Sequence, residues 1–579
     1  MTLTSATPPA FPLHRGTAAT WHRGARAALL ALGLAACGSS SASPTSTAGP
    51  TGSGSSSTSS GSGGSGGSGG GAACPTDVQP APGTILTDRG AVKGAQAGTT
   101  WVYRGIPYAA PPVGALRFKP TEAHACWQGA LDTTAYGERC LQLDTNQQPT
   151  GSEDCLSLNL WAPAGASPAT PLPVLFFIHG GGNTGGSPSE QLSDGTNTYD
   201  GQALAESRNA VVVTFQYRLQ AAGFLSLPEL DAESPHGASG NYAILDQIFA
   251  LGWVQRNIHG FGGDPAHVLL FGESAGGLDT CTVLSSPLAH GLFSAALMES
   301  GGCAALKKAD AQTFGATVVT GAKCTGAADV PACLRALTPA ALVTAVPTMV
   351  DIAGKQSGYQ ASVDGWVLPL APIDAITAGK HNHVPFIIGA NHDETGKALG
   401  MMDETQYEAS VLALAGGMQT LANKILAEYP SSAYASPRAA DVALTSDLKF
   451  ICPARAVARA AVKGQTEPVR RYFFTHVSDN ATALVKAFGA FHGSELLYVF
   501  EHLGAEGYTP SAAETALAAA IGGYWSRLAA AGDPDGQGAV AWPLYDATKD
   551  SFLQLDDTIV AGEGVRTEQC DFWDALAGL

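Results

Sequence analysis

The sequence predicts an α/β fold: a large, mostly parallel central sheet flanked by helices, with a helical cap region. Two observations carry this. From Cys74 to the C-terminus, short apolar runs alternate with stretches of helical hydrophobic spacing. The runs are apolar on consecutive positions, as in Val174-Leu-Phe-Phe-Ile178 and Val211-Val-Val213, which suits strands buried on both faces. Ligands of such sheets bind at the carboxyl ends of the strands.

In chain order, the first 73 residues are not part of this fold. Residues 1–36 read as a signal peptide: Arg15, Arg23 and Arg26 form a basic region, and Ala27 to Ala36 an apolar one too short to span a bilayer. Leu34-Ala35-Ala36-Cys37 resembles a bacterial lipobox, in which Cys37 is lipidated and becomes the mature N-terminus. The competing reading is a plain secretory signal cut near Ala36. Residues 37–73 are almost entirely Ser, Gly, Thr and Ala and cannot build a core. They read as a flexible tether with a reach of about 30 Å. Residues 74–579 form the folded domain.

Within that domain, strands are expected at Pro171–His179, Asn209–Tyr217, His267–Phe271, Phe293–Glu299, Val384–Gly389 and Val469–Thr475. A helix is expected at Tyr242–Asn257, with Ile244, Leu245, Ile248, Phe249, Leu251 and Val254 on its apolar side and Asp246, Gln247 and Arg256 on its polar face. Leu306 to Lys380 is Ala-rich and reads as the cap. His381-Asn382-His383 reads as an exposed loop rather than a ligand pair. The net charge of −18 argues against nucleic-acid binding, which needs basic stripes. No His or Cys cluster has metal-ligand spacing, so neither metal nor organic cofactor is expected.

Two glycine-rich turns follow strands. Gly272-Glu273-Ser274-Ala275-Gly276 has the G-x-S-x-G pattern of a nucleophile elbow, where a strand feeds a helix and the serine stands exposed between them. His179-Gly180-Gly181-Gly182 follows the strand at Val174 and resembles the HGGG-type loop whose amides bind a developing oxyanion. His179 is expected to be structural. A serine hydroxyl needs a base. In this fold an acid and then a histidine follow the serine. Asp393 and Glu394 both stand just past a strand, and composition does not choose between them. Phe488-Gly-Ala-Phe-His492-Gly-Ser-Glu495 supplies the histidine.

The chain resembles the type-B carboxylesterase family, which includes cholinesterases, para-nitrobenzyl esterases and some feruloyl esterases. The resemblance spans roughly residues 90–579. It rests on Tyr103-Arg-Gly-Ile-Pro-Tyr-Ala-Ala-Pro-Pro-Val-Gly114, Arg117-Phe118, Ser152-Glu-Asp-Cys-Leu-Ser-Leu-Asn-Leu-Trp161, Ile178-His-Gly-Gly-Gly182, Gly240-Asn-Tyr242, Phe261-Gly-Gly-Asp-Pro265, the elbow, Asp393-Glu394 and Phe491-His-Gly-Ser-Glu495. It implies an α/β-hydrolase fold and a serine esterase with Ser274 as nucleophile, Glu394 rather than Asp393 as acid, and His492 as base. The implied oxyanion donors are the amides of Gly181, Gly182 and Ala275. The family's disulfides map onto Cys140–Cys155, Cys324–Cys333 and Cys452–Cys570. Of the cysteines left over, Cys281 is paired with Cys303 and Cys74 with Cys126, while Cys37 carries the lipid. A buried ion pair is implied between Arg117 and Glu153.

Three positions depart from the pattern. Asn183 stands where an aromatic often follows HGGG, Thr395 replaces the glycine usual after Asp-Glu, and Asp279 sits where small residues are usual. The loop from Leu141 to Asp154 has no aromatic and is too short for a large lid, so neither a cholinesterase nor an interfacially activated lipase is expected. The expected protein is an exported, membrane-tethered enzyme acting on a small-molecule ester. Activity should fall as pH drops past about 6.5, shifted by the carboxylate beside the base. The alternatives are an amidase or carbamate hydrolase with the same residues, and a surface binding or adhesion protein of the same fold.

Overall fold

The structure is a computed structural model; it describes residues 74, 81–348, 352–353 and 357–577. The signal peptide, the tether and Cys37 lie outside the described residues.

Eleven strands form one sheet. They are β1 (Ala95–Ala97), β2 (Thr100–Pro107), β3 (Ser157–Pro163), β4 (Leu172–Ile178), β5 (Val211–Phe215), β6 (Gly263–Glu273), β7 (Ala295–Glu299), β8 (Phe386–Asn391), β9 (Val469–Phe474), β10 (Ser551–Leu555) and β11 (Val560–Glu563). Their spatial order is β11-β10-β9-β8-β7-β6-β4-β5-β3-β2-β1. From β10 to β5 every pairing is parallel, and antiparallel strands close both edges. The register Phe271↔Phe177, Phe271↔Leu297 and Leu297↔Ile387 aligns the carboxyl ends of β4, β6, β7 and β8. The turns after them therefore meet at one edge of the sheet.

Alternation along each strand divides the core in two. Val174, Phe176 and Ile178 of β4 join a cluster with Ile244, Leu251, Trp253 and Val254 of helix α1 (Tyr242–Asn257). Leu175 and Phe177 point the other way, into a cluster with Leu517, Ile521, Trp525 and Leu528 of helix α3 (Ala512–Ala531). Both faces are covered, which is why these strands are apolar throughout. Helix α2 (Ala275–Ser285) leaves β6 directly.

Two expectations are corrected, at His381-Asn382 and in the cap, and the polar face of α1 has its own character. Asp246 and Gln247 do not face solvent: both are fully buried. Asp246 accepts Arg218 Nε at 2.8 Å, and Gln247 reaches α2. Helix α1 packs between the sheet and further segments, so its polar residues meet protein partners. His381 and Asn382 are also buried. His381 Nε2 lies 2.7 Å from Gln465 Oε1, and Asn382 Nδ2 donates to the carbonyls of Leu284 and Ser286 at 2.9 Å. The cap region is helical only in part, at Lys308–Gly321, Val330–Arg335, Pro339–Val343 and Pro372–Thr377. Near residue 364 the Asp364 carboxylate accepts the amides of Trp366 and Leu368 at 2.9 Å, an Asx-type turn that competes with helix.

Five disulfides are formed, Cys74–Cys126, Cys140–Cys155, Cys281–Cys303, Cys324–Cys333 and Cys452–Cys570, each joining the cysteines paired above. Arg117 and Glu153 form a buried ion pair, with Nε to Oε1 at 2.7 Å. The same guanidinium donates to the carbonyls of Leu334 and Leu337 at 2.9 and 2.8 Å, tying the cap helices to the N-terminal part of the domain.

Candidate active site

Ser274 sits between β6 and α2 with φ +59° and ψ −121°. This is a strained conformation for a residue with a side chain. It is held from both sides: its amide donates to the Glu299 carbonyl of β7, and its carbonyl accepts the Leu278 amide, each at 3.0 Å. The turn is possible because Gly276 has no side chain. A Cβ there would lie 2.0 Å from the Ile178 carbonyl oxygen at the end of β4.

The loop after β4 lies against this elbow. A Cβ on Gly180 would come within 2.9 Å of the Ser274 Cβ. Gly181 adopts φ +113°, and its carbonyl accepts the amides of Thr184 and Gly185 at 3.1 Å, folding 181–185 into a tight turn. Among the described residues, the amides of Gly181, Gly182 and Ala275 have no acceptor. Ala275 is also the first residue of α2, where backbone N–H groups and the helix dipole favour negative charge. His179 is structural: it is buried, its ring stacks on Tyr217 at 4.4 Å, and burial pushes its pKa down to about 4.

Glu394 and His492 are in direct contact. Glu394 Oε2 lies 2.6 Å from His492 Nδ1, while Oε1 accepts the Asn391 amide at 2.8 Å. The His492 amide donates to the Glu394 carbonyl at 3.0 Å, so backbone and side chain are both fixed. Asp393 faces elsewhere, with its carboxylate on the Ala490 amide at 3.1 Å and the His392 ring at 2.9 Å. Thr395 ties the acid loop to the helix Pro437–Ser446 through Thr445 Oγ1 at 2.7 Å. The close approach that demands glycine falls one residue later, at Gly396, where a Cβ would lie 1.9 Å from the Phe488 carbonyl oxygen.

The far nitrogen of His492, Nε2, is 3.1 Å from Glu273 Oε1, beside Ser274 in the chain, and makes no hydrogen bond. Ser274 Oγ likewise has no hydrogen-bond partner among the described residues. The structure thus joins acid to imidazole and brings the imidazole to the elbow, with the serine–imidazole bond unformed. Such bonds are often loose before substrate enters.

A group of buried carboxyls surrounds the imidazole. Burial alone lowers the His492 pKa, but the Glu273 and Glu394 charges outweigh it and push it up to about 9. Burial raises Glu273 to about 7 and Glu495 to about 8, and holds Glu299 well above the ordinary carboxyl range. Glu495 accepts from Asn391 Nδ2, and Glu299 from Trp525 Nε1 at 2.7 Å. Sequence reasoning assigned no role to Glu273, Glu299 or Glu495. The available signal was position: Glu273 inside the elbow and Glu495 three residues after the histidine.

Asp279 is a further buried acid, raised to about 7 by burial against the opposing hydrogen bonds of Gln247 and Asn183. Among the described residues one trio, His476, Asp556 and Asp557, places possible metal-ligand atoms within 4.8 Å of one another. Its imidazole bridges Asp556 Oδ1 and Glu514 Oε1, both at 3.2 Å. Burial lowers its pKa, and these contacts raise it by more. It reads as a clip holding the segments just after β9 and β10 to α3.

An acid–imidazole pair brought to an elbow serine, at the carboxyl edge of a doubly covered parallel sheet, defines the class as an α/β-hydrolase. Residues 81–573 match the model of the carboxylesterase family. Para-nitrobenzyl esterase of Bacillus subtilis (strain 168) is 35% identical over 501 residues, covering 84% of this chain and 97% of that protein. The medium-chain fatty acyl-CoA hydrolase precursor of Anas platyrhynchos is 33% identical over 533 residues, covering 85% and 92%. Among solved structures, a thermophilic PNB esterase superposes with a TM-score of 0.72 at 31% identity, covering 84% of this chain and 99% of that one. The chain belongs to the carboxylesterase family and is a carboxylic ester hydrolase.

Proposed function

We propose that this enzyme is an exported serine carboxylesterase that works through an acyl-enzyme on Ser274. The observation that carries the reading is the 2.6 Å contact between Glu394 and His492 Nδ1, with Nε2 held at the elbow 3.1 Å from Glu273 Oε1, and three amides of the elbow and its adjoining loop lacking acceptors among the described residues. Neutral His492 takes the Ser274 proton as Oγ bonds to the ester carbonyl carbon. The carbonyl electrons move onto oxygen, where the amides of Gly181, Gly182 and Ala275 stabilise the charge. On collapse, the carbon–oxygen bond to the alcohol breaks and His492 gives the leaving oxygen its proton. Water then repeats both steps, releasing the acid and restoring Ser274. Glu394 holds the ring in the tautomer with Nδ1–H and supports the imidazolium.

Export is supported by the five disulfides, which persist in oxidising compartments. Lipid attachment at Cys37 and tethering to a membrane remain part of the proposal. No described helix is long and apolar enough to cross a membrane. Small esters are the favoured substrates, because the Cys140–Cys155 loop is a short hairpin pinned by Gln142, whose side chain bonds both the carbonyl and the amide of Gly186 at 2.9 Å.

The test is initial rates on p-nitrophenyl esters of increasing acyl length, with Ser274→Ala as the blank. A maximum at short chains, abolished in the variant, is expected. Turnover retained in the variant overturns the Ser274 assignment. A maximum at long chains that rises above the substrate's solubility limit overturns the small-ester reading.

A further inference from the structure

Two of the family departures noted above, Asn183 and Asp279, meet in the structure. Asn183 directly follows Gly181 and Gly182, is 2% exposed, and holds the left-handed conformation at φ +57°. Its Nδ2 donates to Asp279 Oδ1 at 3.2 Å. Asp279 is fully buried on α2, and its second oxygen accepts Gln247 Nε2 of α1 at 2.6 Å. Among the described residues no lysine, arginine or histidine pairs with Asp279, so two neutral side-chain amides are the hydrogen-bond donors to its carboxyl group. The remaining anchors of Asn183 converge on the same loop. Its carbonyl accepts the Gln220 amide at 2.9 Å. Its Oδ1 lies 3.5 Å from the Tyr217 hydroxyl, which donates to the His179 carbonyl at 2.7 Å.

A buried carboxylate with no cationic partner is costly. A small apolar residue would fill the position on α2 without that cost. What the carboxylate adds is a fixed link between two pieces of backbone. One is α2, which starts directly after Ser274 with the Ala275 amide. The other is the loop carrying the Gly181 and Gly182 amides, which glycine leaves conformationally free.

We propose that Asp279 is a positioning residue for the oxyanion loop: through Asn183 it locks the Gly181–Gly182 amides in register with Ser274. The proposal rests on the reading of those amides and Ser274 given above. Donor placement within a fraction of an ångström governs this kind of stabilisation. The link therefore acts on the tetrahedral state and leaves ground-state binding of a small ester alone.

The test uses the full chain, active-site titration with a fluorophosphonate, and p-nitrophenyl acetate. Asp279→Asn keeps the shape but sets an amide N–H against one of the two donors. Asn183→Ala breaks the link from the loop side. Each is expected to lower kcat per titrated site roughly tenfold to a hundredfold while KM changes by less than about twofold. Affinity for a trifluoromethyl ketone, which forms a tetrahedral adduct on serine, should fall by the same factor as kcat. The exchanged pair Asn183→Asp with Asp279→Asn reverses donor and acceptor and should recover most of the loss. Folded single variants with wild-type kcat, a loss confined to KM, or an exchange that compounds the two losses would each overturn the proposal. Should Asp279→Asn not fold, Asn183→Ala and the exchange decide alone. Failure of the underlying reading looks different: wild-type enzyme would turn over ester yet not titrate, and Ser274→Ala would stay active.

Discussion

His492 is pulled in opposite directions, by burial toward a lower pKa and by Glu273 and Glu394 toward a higher one, and the carboxylates win. In the proposed mechanism the base must be neutral to accept the Ser274 proton. A raised pKa keeps it protonated to higher pH, so activity is lost as pH falls through a value above the ordinary histidine range. The acid limb of kcat/KM should lie above about 6.5. Glu273→Gln removes the larger of the two raising charges and should move that limb to lower pH, as read in a pH–rate profile. A limb that stays put counts against Glu273 as its cause. Glu394→Gln should lower kcat by on the order of 10³–10⁴, because the ring loses its tautomer control, with little change in melting temperature.

At the scale of elements, the elbow is the point where backbone leaves least freedom. A methyl group on Gly276, in the first turn of α2, would overlap the Ile178 carbonyl at the end of β4, a backbone contact. Gly276→Ala should therefore destabilise the fold by about 3–5 kcal/mol, at the upper end of single substitutions, seen as loss of soluble protein or a large fall in Tm. The strands were legible because burial on both faces leaves apolar runs with no alternation. The elbow was legible because its backbone geometry admits almost no other residues. Helix α1 was placed correctly by its period, and of its polar residues Arg256 is exposed while Asp246 and Gln247 are buried. A hydrophobic pattern cannot tell a polar side that meets water from one that meets Arg218 and Asp279. The choice between Asp393 and Glu394 was equally closed to composition, since the two differ by one methylene. The family resemblance favoured Glu394, and the turn after β8 separates the two physically, aiming Glu394 at His492 and Asp393 at the Ala490 amide.

Across the whole molecule, distant segments are held by a few long-range links. Arg117 joins Glu153 to carbonyls of the cap, and both side chains are nearly buried. Glu153→Gln leaves a buried guanidinium short of its counter-charge and should cost about 3–5 kcal/mol in denaturant unfolding. Cys452–Cys570 closes a span of 118 residues. Removing it as the paired alanine variant should cost about 4–5 kcal/mol by loop-closure entropy, while the activity of the folded fraction is retained. Spacing and periodicity could not pair these residues because the partners are far apart in the chain; the family resemblance implied both pairs. The carboxyl group around His492 is likewise assembled from β6, β7, the turn after β8 and the loop that carries Glu495, which is why no single segment announced it.

The most direct test of the account is to quench the enzyme early in turnover of p-nitrophenyl acetate and map the trapped acetyl group by peptide mass spectrometry. The account predicts one acetyl group per active site, on the peptide carrying Ser274, preceded by a burst of p-nitrophenol and absent in Ser274→Ala. An acetyl group on another residue, or full turnover by Ser274→Ala, would contradict it.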